Sequence, residues 1–171
     1  MTPKELEAQL EGLHTESFGW ALSCCGHDET EAEDVLQTTY LKIMTGKARF
    51  GGRSSFKTWV FGVIRRTAQE VSRRSRTEGR RMIQIVPDDL PAPEDDPVRR
   101  MDRKKKAEAL KEALGELSER QREVLHLVFY QGLSIAEASN VMGVGLGSAR
   151  THYQRGKDRL RELLEEGEHV A

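Results

Sequence analysis

Cysteine, long apolar runs and aromatic residues are all scarce in this chain of 171 residues, of which 6% are aromatic. The two cysteines, Cys24 and Cys25, are adjacent, which suits neither a disulfide framework nor a four-ligand zinc site. The longest apolar stretch, Trp59 to Ile64, is far shorter than the ~20 residues of a membrane-spanning helix. We therefore expect a cytoplasmic protein that inserts into no membrane and holds neither a metal nor a cofactor.

One alternative stays open at the cysteines. His27 lies two residues beyond Cys25, so Cys24, Cys25 and His27 together could contribute to a metal or redox site. No second group of ligands is evident, and cysteine in an apolar helical stripe is usually part of the core. The sequence favours the structural interpretation.

Net charge is also nearly absent, because 27 Lys and Arg oppose 28 Asp and Glu. This balance excludes a strongly basic nucleic-acid coat protein, yet the charges are segregated. Residues 46–81 hold 11 bases and 2 acids, and residues 148–161 hold 5 bases and 1 acid. Residues 1–45 hold 9 acids and 2 bases, and residues 82–98 hold 5 acids and no base. The basic segments predict binding of a polyanion; the alternative is solvated helix faces.

Proline is concentrated in one place. Four of the five prolines lie within 87–98, among five acidic residues. Proline interrupts helices and central strands, so this stretch is predicted to be an extended linker without helix. Helical periodicity on both sides predicts an all-α fold of two small helical domains. The predicted division is a first domain at 1–81, an acidic proline-rich linker at 82–102 and a second domain at 103–171.

Three helical stretches are predicted in the first domain. The second begins at Thr30, whose hydroxyl forms a capping box with Glu33, and Met44 lies on its buried side. The third begins after Ser55 and combines an apolar stripe with basic faces. These two helices are predicted to flank a short loop.

That loop, residues 46–53, contains three glycines together with Arg49, Phe50 and Arg53. An aromatic ring among arginines suits a single nucleic-acid strand, because bases stack on the ring and phosphates pair with the cations. The alternative is that Phe50 folds back onto the core. The sequence alone does not separate these two interpretations.

The second domain carries the pattern of a helix-turn-helix. Ser118 with Gln121, and Ser134 with Glu137, form capping boxes that begin successive helices. A glycine-containing turn at 143–145 follows, and then a long basic helix from about Gly147. The first residues of such a helix enter the major groove.

Exposed side chains at the start of this last helix are expected to contact base edges. Arginine pairs with guanine and glutamine with adenine, each pair contributing ~1–3 kcal/mol of discrimination, whereas Lys157 is expected to contact phosphate. The alternative is a solvated basic helix in an ordinary bundle. The predicted reading residues are Ser148, Arg150, Thr151, His152, Gln154 and Arg155.

Two segments together resemble a bacterial RNA polymerase sigma factor of the extracytoplasmic-function type. The sequence AEDVLQ at 32–37, followed by RFGGRSSFKTWVF at 49–61, is similar to region 2 of that family. The sequence LSERQREV at 117–124, continuing to GVGLGSAR at 143–150, resembles region 4. The resemblance implies a specificity subunit without catalytic residues. Such a subunit binds core polymerase, recognises the minus-35 element with its helix-turn-helix and melts the minus-10 element.

The resemblance also implies partners and individual roles. The partners are core RNA polymerase, through its clamp coiled coil and flap, promoter DNA as duplex and as melted non-template strand, and an anti-sigma factor. Binding of core polymerase is implied for Asp34, Gln37, Tyr40 and Leu41. Minus-10 recognition is implied for Arg49, Phe50, Arg53, Ser54, Phe56, Lys57, Trp59, Arg65 and Arg66. Minus-35 recognition is implied for Ser148, Arg150, Thr151, His152, Gln154, Arg155 and Lys157.

Two other functional classes stay open. A two-domain DNA-binding regulator would use the helix-turn-helix alone and would need neither the Asp34 and Gln37 helix nor the aromatic and basic loop. An enzyme acting on nucleic acid is the least favoured class. The sequence shows no paired carboxylates with metal ligands, no nucleophile with a base and no glycine-rich phosphate loop.

Overall fold

Helices account for most of the described chain. The computed structural model describes residues 1–77 and 96–170, and no strand occurs within these ranges, so the all-α prediction is confirmed. Most of the predicted linker at 82–102 lies outside the described residues. The helices are α1 (Pro3–Gly12), α2 (His14–Cys24), α3 (Glu29–Met44), α4 (Phe56–Thr77), α5 (Pro97–Glu116), α6 (Glu119–Leu125), a π-helix (His126–Tyr130), α7 (Ile135–Met142) and α8 (Leu146–Val170).

The helix-turn-helix is built by local signals that the sequence already carries. Ser118 and Ser134 form complete capping boxes at the starts of α6 and α7, as predicted. Gly143 ends α7 in the left-handed conformation, at φ 66°, which glycine adopts without the strain of a Cβ atom. The turn then leads directly into α8. Local sequence therefore determines where the last two helices meet.

The start of α3 differs from the prediction. The capping box expected from Thr30 and Glu33 is wrong, because Thr30 already lies inside the helix. Asp28 is the N-cap, and its carboxylate accepts a hydrogen bond from the Glu31 amide at 3.1 Å. Aspartate caps at least as well as threonine, so the earlier residue provides the cap.

The start of α5 also corrects an expectation. Residues 87–98 were expected to contain no helix, yet α5 begins at Pro97, inside the predicted linker. Proline is well tolerated at the first position of a helix, where its missing amide hydrogen would have no partner. The Asp96 side chain accepts from the Val98 amide at 3.2 Å and caps this helix.

One buried cluster joins the two halves of the molecule. The indole of Trp20 is fully buried, stacks against Phe61 at 6.1 Å between ring centroids and contacts the His126 ring at 5.5 Å. Its Nε1 donates to the Phe61 carbonyl at 3.0 Å, so the polar atom is satisfied. Leu127 and Val141 of the second half belong to the same buried cluster. The two predicted domains therefore pack directly against each other.

A matched pair of glycines tests the packing of α8. A Cβ atom on Gly156 would lie 3.2 Å from both Gln121 Cβ and Leu125 Cδ1 of α6, whereas a Cβ on Gly62 of α4 would meet nothing within 4 Å. Gly62→Ala is expected to stabilise the protein by up to ~1 kcal/mol through helix propensity. Gly156→Ala is expected to destabilise it by ~1 kcal/mol or more, because crowding outweighs that gain. Urea unfolding of both variants checks the difference, and equal stabilisation would contradict the close approach of α6 and α8.

Candidate functional site

The exposed side of α3 forms a mixed polar and apolar row. Asp34 and Gln37 are exposed, as predicted for polymerase-binding residues. Leu41 is 65% exposed one turn further along, and Met44, which was predicted to be buried, is 45% exposed. The prediction for Met44 is wrong: in the last turn of α3 Ile43 is the buried residue, and Met44 ends the helix on its exposed side. These four side chains, spaced three and four residues apart, lie along one face.

Tyr40 is the one predicted polymerase-binding residue that is not fully exposed on α3. It is half-buried, and its hydroxyl lies 2.9 Å from His14 Nδ1 of α2. Burial raises the pKa of the phenol above its usual value. Tyr40 therefore holds α3 against α2, at the edge of the exposed row.

Three aromatic rings form a cluster beside the loop that precedes α4. Phe50 lies 5.6 Å from Phe56 in an edge-on arrangement and 5.3 Å from Trp59, and Phe56 and Trp59 are 5.6 Å apart. Phe50 thus does fold towards the body of the protein, but it keeps 36% of its surface exposed. The cluster combines both interpretations of Phe50: the ring is anchored and still accessible.

Cations surround this aromatic cluster. Arg49 and Arg53 are exposed, and Arg49 Nε donates to the Gly46 carbonyl at 3.3 Å. Gly46 and Gly52 take positive φ angles of 78° and 73°, which glycine adopts without strain, in the loop that carries Phe50. Accessible rings flanked by exposed arginines can stack bases and pair with phosphates.

Ser54 and Ser55 close the loop at the start of α4. The Ser55 hydroxyl accepts from the Thr58 amide at 3.1 Å and so caps the helix. The half-buried Ser54, a predicted minus-10 residue, donates from its hydroxyl to the Ser55 carbonyl at 3.1 Å. The serine pair therefore fixes the direction in which α4 leaves the aromatic cluster.

Two of the predicted DNA-contacting cations on α4 have protein partners in the packed arrangement of the chain. Lys57 donates from Nζ to the Gln131 carbonyl at 2.8 Å and pairs with Glu16 at 3.1 Å. Arg65 is only 8% exposed and pairs with Glu123 of α6, with Nε to Oε2 at 2.8 Å and Nη2 to Oε1 at 3.4 Å. A buried bidentate pair of this kind fixes both position and orientation.

Arg66 remains accessible beside these occupied cations. It is exposed and lines a cleft of about 210 Å³ between α4 and the end of α7. The α7 side of the cleft carries Asn140, Val141 and Gly143.

Across the same junction between α4 and α7, the Thr58 hydroxyl donates to Glu137 at 3.3 Å. The pKa of Glu137 lies below its usual value, chiefly because the Ser134 backbone and hydroxyl donate hydrogen bonds to it. The second half of the chain thus covers part of the basic face of α4.

Sequence reasoning missed Glu123 and Gln131 as partners of these cations. Glu123 is separated from Arg65 by 58 positions and lies among charged residues of a surface-like pattern. Its burial follows from the packing of α6 against the first half of the chain. No local signal in the sequence identifies it.

The start of α8 presents most of the predicted reading residues to solvent. Ser148, Arg150, Thr151, Gln154 and Arg155 are exposed, and His152 is half-buried. Buried Ala149 and Gly156 face the other side, so the packed face of α8 and its exposed face are distinct. Two of the exposed side chains have local partners: Thr151 donates to the Gly147 carbonyl at 3.0 Å, and the Gln154 amide donates to Asp158 at 3.0 Å.

Lys157 lies apart from the reading residues. Its Nζ lies 4.9 Å from the centre of the Tyr153 ring, in a cation–π contact. Tyr153 in turn stacks on Phe129, which is 62% exposed. An open groove of about 320 Å³ lies next to this stack and is lined by Phe129, Lys157, Leu160, Arg161, Leu164 and Glu165.

The two cysteines are poor candidates for redox or metal chemistry. Both are free thiols. Burial raises the pKa of Cys24 well above its usual value, and burial together with Glu31 raises the pKa of Cys25 to about 12. The reactive thiolate is therefore scarce at neutral pH. Within 1–77 and 96–170, no group of three or more His, Cys, Asp and Glu side chains is arranged to hold a metal ion.

None of the helices in the described ranges is both long enough and apolar enough to cross a bilayer.

Comparison with known families assigns both halves of the chain. Sigma-70 region 2 matches residues 13–78, and Sigma-70 region 4 matches residues 107–160. The first match contains α2, α3, the aromatic cluster and α4, and the second contains the helix-turn-helix. A regulator that uses only a helix-turn-helix does not account for the first match.

The similarity to curated relatives extends over most of the chain. The chain is 27% identical over 139 residues to the RNA polymerase sigma factor SigZ of Bacillus subtilis, covering 81% of this chain and 76% of SigZ. It is 29% identical over 151 residues to the ECF RNA polymerase sigma factor SigX of the same organism, covering 81% of this chain and 73% of SigX.

Solved structures agree in fold. The sigma factor RpoE, solved in complex with the anti-sigma factor NepR from Bartonella quintana, superposes with a TM-score of 0.74 at 24% identity, covering 95% of this chain and 98% of RpoE. CnrH, solved with the cytosolic domain of CnrY, gives a TM-score of 0.61 at 22% identity, covering 93% of this chain and 87% of CnrH. Both likenesses extend across the two packed halves.

Proposed function

The chain belongs to the extracytoplasmic-function type of RNA polymerase sigma factors, and we propose that separate exposed surfaces bind core polymerase, the minus-10 strand and the minus-35 duplex. As a sigma factor it directs promoter-specific transcription initiation. Its relatives are specificity subunits that bind DNA and are not catalysts. We place its action in the bacterial cytoplasm, at the nucleoid, where polymerase meets promoters.

The exposed row on α3 is the proposed site for the clamp coiled coil of core polymerase. Asp34 and Gln37 supply polar groups that set register, and Leu41 and Met44 supply apolar surface at its end. Charged groups around an apolar contact mainly give orientation and specificity. Tyr40 supports this row from behind through its contact with His14.

The aromatic cluster is the proposed site for the melted minus-10 strand, and it is the observation that supports the proposal most strongly. Phe50 and Trp59 offer stacking surface beside exposed Arg49 and Arg53. Base stacking on an aromatic side chain contributes ~1–3 kcal/mol per base, which offsets the few kcal/mol needed to unstack a base from the duplex. Melting by this route needs no nucleotide hydrolysis by the chain.

The start of α8 is the proposed minus-35 reader, and the adjoining groove is the proposed site for the polymerase flap. Arg150 and Arg155 are exposed at the end that enters the major groove. The groove beside Phe129 lies further along α8 than the base-reading residues, and Lys157 stands where the flap site and the duplex site meet. The half-buried His152 has less access to bases than its exposed neighbours.

The packed arrangement of the two halves is the resting form of the free chain in this proposal. Arg65 is occupied by Glu123 and Lys57 by the Gln131 carbonyl, both from the second half, so these cations contact promoter DNA only after the halves separate. Lys57 must also give up its ion pair with Glu16 of the first half. We propose the division into residues 1–81, 82–102 and 103–171, with the end of the linker folded into α5. An anti-sigma factor, the kind of partner bound to RpoE of Bartonella quintana, is the proposed restraint.

Reconstitution with core RNA polymerase tests the proposal. The full chain is expected to join core polymerase and to produce defined transcripts from a subset of promoters. Permanganate footprinting of the same complexes is expected to show unpaired thymines at the minus-10 position. A chain that does not bind core polymerase contradicts the proposal as a whole.

Arg150 provides a finer test of the minus-35 surface. Arg150→Ala is expected to relax preference at one upstream base pair by ~1–3 kcal/mol, because one bidentate contact with a base is lost. Lys157→Ala, the matched change at a phosphate-contacting position, is expected to weaken binding evenly across sequences. Transcription from a library of randomised minus-35 sequences separates the two outcomes. Equal effects of both variants at every position would contradict base reading by Arg150.

A further inference from the structure

The π-helix His126–Tyr130 carries a histidine into the contact between the two halves. It packs against α2 of the first half and against α6 and α7 of the second. The His126 ring lies between the Trp20 ring of α2, at 5.5 Å, and the Tyr130 ring, at 5.2 Å between centroids. Trp20 is fully buried and stacks on Phe61 of α4. A change in the charge of His126 therefore acts directly on the surface that joins the halves.

The side chain of Gln131 contacts both halves through one nitrogen. Its Nε2 donates to the Glu16 carbonyl of α2 at 3.3 Å and lies 3.2 Å from His126 Nε2. An amide nitrogen only donates, and it has two hydrogens, so each contact takes one when His126 Nε2 is an unprotonated acceptor. The Gln131 carbonyl of the backbone accepts from Lys57 of α4 at 2.8 Å. Neutral His126 thus belongs to a connected set of hydrogen bonds that spans α2, α4 and the π-helix.

Protonation of His126 disrupts this set in either orientation of the Gln131 amide. An imidazolium donates from both nitrogens and accepts at neither, so its Nε2–H would face the amide hydrogens. If the amide turned over, Oε1 would accept from the imidazolium, but the same oxygen would then face the Glu16 carbonyl, which is also an acceptor. One contact is lost in both cases. When the halves separate, water solvates the charge and the conflict disappears.

Three acids on the elements around His126 already have partners. Glu16 of α2 pairs with Lys57, Glu123 of α6 pairs with Arg65, and Glu137 of α7 accepts from the Ser134 amide and the Thr58 hydroxyl. Other titratable or charged groups around it are Cys24, His27, the exposed Glu119, Arg122 and Tyr130. Burial first, and His27 second, lower the pKa of His126 to about 4. The surroundings therefore oppose a charged ring as long as the halves are packed.

We propose that His126 is an acid-sensitive switch between the two halves, and that its protonation separates them and frees the basic face of α4 for promoter DNA. The inference rests on the proposed function in one respect, because it takes the packed arrangement to restrain the free chain. In the separated form the ring meets water and has an ordinary pKa of ~6.5. The separated form therefore binds a proton that the packed form does not, so separation becomes more favourable as the pH falls from ~6.5 towards 4.

Binding of a single-stranded minus-10 oligonucleotide by the full chain at pH 7 and pH 5 tests the switch. While the packed form predominates, the affinity of the wild-type chain is expected to rise about twentyfold on acidification. This factor follows from pKa values of about 4 in the packed form and ~6.5 in the separated form. Fluorescence anisotropy measures the affinity. Circular dichroism at pH 5 is expected to show intact helices, and loss of helix there would overturn the inference in favour of unfolding.

Matched histidine variants assign the effect. His126→Gln keeps an acceptor for Gln131 but cannot be protonated, and it is expected to lose most of the rise. His126→Phe keeps a ring between Trp20 and Tyr130 and provides the same test if the glutamine variant does not fold. His14→Gln is expected to keep the rise, because its partner Tyr40 lies in the same half. An absent rise in the wild-type chain, or an equal rise in the folded His126 variant, overturns the inference.

A readout without DNA separates this inference from the proposed function. Small-angle scattering follows the radius of gyration in the wild-type chain and in Glu123→Gln, whose packing is weaker. The radius is expected to be larger at pH 5 than at pH 7 in at least one of them, and His126→Gln is expected to abolish the difference. If no such difference appears while core polymerase with the wild-type chain gives promoter-specific transcripts, only the switch fails. If the difference appears without such transcripts, the switch stands and the proposed function fails.

Discussion

Glu123→Gln is expected to increase the affinity of the free chain for a single-stranded minus-10 oligonucleotide by at least ~tenfold. Glu123 and Arg65 form a buried ion pair between the halves, and removing one partner of such a pair typically costs ~3–5 kcal/mol. When the halves separate, Arg65 is hydrated again. The substitution therefore destabilises the packed form and not the separated form. Fluorescence anisotropy measures the affinity, and small-angle scattering is expected to show a larger radius of gyration.

Two further variants keep this prediction falsifiable. Glu119→Gln removes an exposed acid from the same helix and is expected to change neither quantity. The exchange Arg65→Glu with Glu123→Arg restores opposite charges and is expected to recover the compact form while leaving oligonucleotide binding weak. If Glu123→Gln leaves both the affinity and the radius unchanged, the ion pair does not hold the halves together.

Acidification from pH 7 to pH 5 is expected to lower the free energy of unfolding by about 2 kcal/mol through His126 alone. Burial, assisted by the nearby His27, lowers the pKa of His126 to about 4, against ~6.5 in the unfolded chain. The folded protein therefore binds fewer protons than the unfolded chain between these values. Stability is fully present above pH ~6.5 and falls as the pH falls towards 4.

The surroundings of His126 support this direction. Its ring lies between Trp20 and Tyr130, and its Nε2 is 3.2 Å from the Gln131 amide nitrogen. The pKa of His27 is also lowered, first by burial and then by Lys111 and Arg122, so it adds to the same loss. Urea unfolding at pH 7 and pH 5 measures the effect. His126→Gln is expected to flatten the pH profile, and an equally steep profile in that variant would rule out the assignment.

Local structure could be predicted where short-range interactions decide it. The capping boxes at Ser118 and Ser134 are confirmed, because each needs only residues three positions apart. The cap of α3 was misplaced because Asp28 and Thr30 are both competent caps, and the choice between them depends on where the helix packs. Phe50 was left open for a related reason: its two contacts, Phe56 and Trp59, lie across a turn whose glycines set the geometry.

Relations between the halves could not be predicted from periodicity or composition. Arg65 and Lys57 have the pattern of a solvated basic face, and their partners Glu123 and Gln131 are 58 and 74 positions away. The same sequence pattern fits a charged side chain that is solvated by water and one that is paired with a buried partner. Only the packing of α7 on α4, which comes with the contact of Glu123 of α6 with Arg65, decides between them.

Arg65 has a genetic consequence, since one side chain serves both the packed form and, on the proposed function, the promoter complex. Substitutions at Arg65 would weaken both the packed form that restrains the free chain and the transcription that the promoter complex gives. A genetic selection for variants that are active without induction should therefore rarely recover them. On the same proposal, Glu123 serves only the packed form, through its ion pair with Arg65. Suppressor screens in cells that overproduce an anti-sigma factor should therefore yield changes at Glu123. The amino acids at positions 65 and 123 should also vary to different extents among strains.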